Sequence, residues 1–143
     1  MSASPVPRCA LLAALAVLAT STPGAAQAKA AAQTGPAASR PSHAAQLKSA
    51  LRFVAAAQAR HHAAKSSYTT SVGALRAPLA PGVRVEIMAA GPKGWQARAQ
   101  HQEQPGRSCV IFVGRLDGSE APRTDADREM AGEEGVPLCD RMR

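Results

Sequence analysis

His61 and His62 are the first residues of this 143-residue chain whose type suits chemistry. Imidazoles hold zinc or copper when several converge on one ion. Consecutive helix positions point about 100° apart, so an adjacent pair does not grip one ion from the same helix. The other histidines, His43 and His101, fall at no ligand spacing to that pair. The sequence therefore assigns no metal and no cofactor, and a periplasmic metal-binding role through His61, His62 and His101 stands only as an alternative. Cys109 and Cys139 form a second pair. They lack the Cys-x-x-Cys spacing that depresses a thiol pKa in oxidoreductases, which favours a structural bridge over a redox couple. Third, Asp125, Asp127, Glu129, Glu133 and Glu134 crowd one segment. The Asp-x-Asp pair there lacks the remaining ligands of a calcium loop. Carboxylates in an irregular, solvated segment also lack the rigid, desolvated setting that shifts a catalytic pKa. With no serine nucleophile signature, no Gly-rich phosphate loop and no His-Glu zinc helix, no catalytic residue is assigned and the chain reads as non-enzymatic.

Whether the cysteines oxidise depends on compartment. Arg8 precedes an uninterrupted apolar run from Cys9 to Thr20, Pro23 and Gly24 break it, and Ala26-Gln27-Ala28 is a small-x-small cleavage site. These are the three parts of a secretory signal peptide over residues 1–28. The apolar run is shorter than the roughly 20 residues that span a bilayer, so no membrane span is expected after cleavage. Cleavage removes Cys9 and leaves an even pair in an exported, periplasmic or secreted chain, where a Cys109–Cys139 disulfide is expected. Closing that loop stabilises by roughly 3 kcal/mol in the chain-entropy picture. A mature chain with one Trp, one Tyr and two Phe has a thin core and needs such a staple.

Charge divides the mature chain. Between Lys29 and Val113 eleven Lys and Arg face only Glu86 and Glu103, whereas Gly114 to Arg143 carries five Arg and eight acids. A basic body bearing an acidic loop suits an anionic polymer such as DNA or glycan, or a membrane surface. The exposed strand face and turns carrying Arg84, Lys93, Arg98 and Arg107 are the candidate binding surface, with acidic residues 117–134 modulating access.

Four elements must position these residues. Residues 29–41 are small and polar and read as a flexible linker. Ser42 is placed to cap a helix from about His43 to Ala64, whose stripe Leu47, Leu51, Val54, Gln58 and His61 is widened by Phe53 and Ala57. Tyr68 is expected to fold back on the helix end, and Ser71 to Leu75 to form a helical turn. Val83, Val85 and Ile87 alternate inward on a first strand, and Trp95, Ala97 and Ala99 on a second, with Arg98 and Gln100 outward. Residues 90–94 and 102–107 are turns by composition. Val110 to Val113 is apolar throughout, which predicts a third strand covered on both faces. Residues 116–135 read as irregular, and Val136 to Cys139 as an apolar patch docking near the sheet.

The ordered set Leu51-x-x-Val54-x-x-Ala57-Gln58, Ser67-Tyr68-Thr69, Leu75, Gly82-Val83-x-Val85-x-Ile87, Gly94-Trp95-x-Ala97-x-Ala99-x-His101, Cys109-x-Ile111-x-x-Gly114 and Pro137-x-Cys139 resembles the globular head of type IV pilins and pseudopilins. The resemblance covers about Gln46 to Asp140. It implies an α+β head over residues 42–143: one long N-terminal helix on a three- to four-stranded antiparallel sheet, with a C-terminal loop closed by the disulfide. It also implies an accessory or adhesion role and a protein partner in a type IV pilus or type II secretion system. The apolar run ends in an ordinary signal-peptidase site, where pilins have a processing site, Phe-Thr-Leu-x-Glu and a retained apolar half-helix. The resemblance thus implies the head fold and not filament assembly.

Overall fold

The computed structural model describes residues 39–142. The expected signal peptide, Cys9 and all but the last three residues of the expected linker lie outside them. The first helix, α1, spans His43–Lys65. Ser42 stays in the β region and its hydroxyl accepts the Ala45 N–H at 3.2 Å, which answers one of the donors a helix start leaves open. Ser66 closes the other end in the left-handed conformation, its N–H donating to the His62 carbonyl. Leu47, Leu51, Val54 and Gln58 are buried as the stripe predicts, and Ala50 and Ala57 fill its flank. Phe53 departs from expectation and is 47% exposed. It sits about 120° round the helix from Leu47, beyond the edge marked by Ala57.

Gln58 is a polar residue with no exposed surface. Its Nε2 donates to the Thr69 carbonyl at 2.6 Å and its Oε1 accepts the Thr69 N–H at 3.0 Å. The side chain thereby stands in for a strand partner and pins the segment after α1. A Gln58→Leu variant keeps the volume and strips both bonds. We expect a loss of about 1–3 kcal/mol, the cost of orphaning part-buried backbone groups, read as a lower urea midpoint. An unchanged midpoint would contradict this role. Close by, the Tyr68 ring does fold back on the helix, stacked on His62 with centroids 4.3 Å apart. The short helix α2, Val72–Leu75, follows, capped by Ser71.

Four antiparallel strands make one sheet in the order β1-β2-β3-β4: β1 Val83–Ala90, β2 Gly94–His101, β3 Ser108–Gly114 and β4 Leu138–Cys139. A bulge between Ile87 and Ala89 shifts the β1–β2 register. Gly114 closes β3 at φ +69°, and a Cβ there would collide with the Lys93 carbonyl, so only glycine fits. Helix α1 packs on the face bearing Val83, Ile87, Trp95, Ala97, Ala99, Cys109 and Ile111. Alanines on both surfaces (Ala50 and Ala57 above, Ala97 and Ala99 below) keep the layers close. Cys109 lies directly opposite Cys139 in the β3–β4 ladder, and the two are joined by a disulfide. The architecture is thus α+β, a helix on a four-stranded antiparallel sheet stapled at its last strand.

Strand β3 is buried on both faces over Ser108 to Ile111; of the run Val110 to Val113 expected to be covered, Val110 and Ile111 are buried and Phe112 and Val113 are half-buried. The second cover is the acidic C-terminal segment, which is far more ordered than its composition suggests. Thr124 is fully buried, Arg123 and Met130 form an isolated bridge, and the Thr124 N–H donates to the Glu129 carbonyl at 2.9 Å. At the centre lies the Asp140 carboxylate, 2% exposed. It accepts N–H groups from Ser108 at 2.8 Å, Ala126 at 3.1 Å and Asp127 at 2.6 Å. No helix among the described residues is long and apolar enough to cross a membrane.

Candidate functional site

The outer face of the sheet carries the cations singled out above, and the fold treats them differently. Arg98 lies opposite Glu86 in the β1–β2 register. Its Nη2 donates to Glu86 at 2.7 Å and its Nη1 to Asp125 at 2.9 Å. The bond to Glu86 holds the guanidinium still further into its charged form; burial opposes this, and Asp125 adds to it. Gln100 joins the group by donating to Asp125 at 2.6 Å. Arg98 and Gln100 therefore do point away from α1, as the alternation predicts, but they meet the acidic segment instead of solvent. Lys93 pairs with Asp117 at 3.7 Å in the open. Arg107 donates to the Arg141 carbonyl. Arg84 is exposed and has no ion pair among the described residues. Lys93 and Arg107 flank opposite ends of β2. Of the four, Arg98 is bound by Glu86 and Asp125 and Lys93 pairs with Asp117, while Arg84 has no ion pair among the described residues.

Further unpaired cations sit on α1. Arg52, Arg60 and Lys65 are exposed and Lys48 is half-buried, and the helix contains no acid. None of the four is in an ion pair among the described residues.

A second site forms where α1 begins. His43 is the first residue of α1, His101 the last of β2, and Glu103 lies in the turn after it. The His43 Nε2 is 2.9 Å from a Glu103 carboxylate oxygen. The two imidazoles lie face to face, centroids 4.1 Å apart and tilted by 32°. The Glu103 N–H donates to His101 Nδ1 at 3.2 Å, which turns that nitrogen toward the carboxylate residue. Gly82, at φ +81°, lets the other edge of the ring approach: a Cβ there would lie 2.9 Å from His101 Cε1 and Nε2. His101 is 5% exposed, while Glu103 is open to solvent. A cleft of about 440 Å³ runs beside the three, lined also by Arg40, Pro41, Gln46 and Pro81.

Sequence spacing did not bring these residues together, because His43 and His101 are joined only by the packing of α1 on β2. One signal was available: the inward series Trp95, Ala97, Ala99 extends by one step to His101. His61 and His62 do not converge with His101. They lie near the end of α1, about 28 Å from its start, and the His62 Nε2–H donates to the Pro92 carbonyl at 3.0 Å. Trp95 is buried in the core under α1.

Fold and site together define a small disulfide-closed α+β domain with a His-His-Glu cluster at the start of its helix. No protein-family model and no curated protein matches this chain.

Proposed function

We propose that the chain is an exported, non-enzymatic protein with a type IV pilin-like head, acting by surface contact in the periplasm or outside the cell. Its partner in this reading is a protein of a pilus or type II secretion system. The observation that carries it is the order of parts: a helix laid over an antiparallel meander, then a C-terminal segment returned to the last strand by a disulfide. The exposed surfaces around Arg84 and Lys93 are the regions offered for contact. A photo-cross-linking residue placed at either position in producing cells should capture a pilus or secretion-system component outside the cytoplasm. A chain that stays cytoplasmic, or cross-links to no such component, overturns the reading.

One observation favours a second reading, an exported module for an anionic polymer. Four cations with no ion pair among the described residues, Lys48, Arg52, Arg60 and Lys65, lie along α1. In that case the protein binds DNA with an affinity that falls steeply as salt rises. Charge reversal at Lys48 and Arg52 then abolishes binding, while reversal of Arg98 does not.

A further inference from the structure

We infer that His43, His101 and Glu103 form a binding site for a divalent transition-metal ion of borderline softness, zinc foremost. One ligand atom from each side chain lies within 4.8 Å of the other two. Zinc bonds to imidazole nitrogen and carboxylate oxygen are about 2.0–2.2 Å long, which places tetrahedral ligands about 3.3 Å apart. The His43–Glu103 pair is already inside that spacing at 2.9 Å. The remaining closure needs side-chain rotation only, since Glu103 sits on an open turn and His43 on the half-exposed first position of α1.

The donors also select the ion. Two imidazoles with one carboxylate suit zinc, copper or nickel, while calcium and magnesium ask for more oxygen ligands than this site offers. Part of the site is built in advance. The His101 ring is walled by Gly82 on one edge, and its Nδ1 lone pair faces Glu103. That lone pair accepts only a long N–H contact, which a metal replaces with a stronger bond. The cleft along Pro41, Gln46 and Pro81 leaves room for a fourth ligand such as water. The inference is independent of any pilus-related role. It differs from a site using His61 and His62, which lie at the other end of α1.

Titration calorimetry of the oxidised protein with Zn2+, and separately with Ni2+, tests it. One equivalent should bind, and Co2+ substitution should produce the visible absorption of a low-coordinate nitrogen–oxygen site. His43→Ala and Glu103→Gln should each weaken binding by roughly 10- to 100-fold or more. His61→Ala/His62→Ala should leave it unchanged. His43 is on the surface, so its variant should keep the wild-type circular dichroism and urea midpoint even where a His101 variant does not. Absence of one-to-one binding, equal binding by His43→Ala, or loss of binding in the His61/His62 variant would each overturn the site.

Discussion

Replacing Asp140 by asparagine should cost the domain about 3 kcal/mol, a large share of the 5–15 kcal/mol that holds a small protein together. The two side chains have nearly the same shape, so the effect isolates charge and hydrogen-bond polarity. Asp140 Oδ2 accepts the N–H groups of Ser108 and Ala126, and Oδ1 accepts that of Asp127. An amide can present one carbonyl oxygen to two of these donors. Its NH2 must then face the third, donor against donor, in a buried position. Burial by itself pushes the Asp140 carboxyl up. The N–H donors of Asp127, Ala126 and Ser108, with the Thr124 hydroxyl, outweigh it and hold the group below its ordinary value. A carboxyl with a depressed folded-state pKa stabilises in full above its unfolded value, near pH 4, and loses that contribution as pH falls toward the folded value. Urea denaturation should therefore give a constant gap between wild type and Asp140→Asn from pH 7 to 5, and a shrinking gap below about pH 4. Equal stability at pH 7, or a gap that holds at pH 2, would show that Asp140 is not the latch.

Opening the disulfide should cost a similar amount, about 3–4 kcal/mol for a cross-link between residues separated by 30 positions. The loss has an identifiable consequence here. β4 is two residues long and rests on β3 through only two residue pairs, too few to stay docked unaided. Cys139 faces the α1 side and Asp140, the next residue, faces the outer side. The two fasteners of the C-terminal segment thus sit side by side, Cys139 at the end of β4 and Asp140 immediately after it. Reduction should free residues 115–142 and open Arg115, Arg123 and Arg128 to trypsin, while Arg52 and Arg60 on α1 resist until the whole domain unfolds. The two fasteners hold the same segment. A Cys109→Ala/Cys139→Ala background should therefore shrink the effect of Asp140→Asn, a coupling readable in a double-mutant cycle. Strict additivity, or equal cleavage of reduced and oxidised protein, would argue that the sheet holds this segment by itself.

The outer face follows from the same geometry. An arginine on an alternating strand looks solvent-exposed in sequence, and Arg98 would be so on an isolated hairpin. Glu86 pairs with it across the hairpin, and in the folded domain Asp125 joins from 27 residues further on. On α1, which contains no acid, Lys48, Arg52, Arg60 and Lys65 have no ion pair among the described residues.

Local physics was legible in the chain without its structure. The stripe from Leu47 to Gln58, Ser42 as cap, the inward residues of β1 and β2, the turn at residues 90–94 and the doubly covered β3 all follow from periods of 3.6 and 2 and from turn chemistry, which depend only on neighbours. The cysteine pair left after the expected cleavage likewise announces the Cys109–Cys139 bridge. Folding decided what depends on distant residues. Asp140 finds its donors at Ser108, Ala126 and Asp127, an acidic segment without periodicity becomes the second cover of the sheet, and Phe53 turns outward by a fraction of a helical turn. His43 meets His101 only because α1 lies across β2. Hydrogen bonds and ligand sets of this kind leave no periodic trace, since each joins segments whose spacing along the chain is arbitrary.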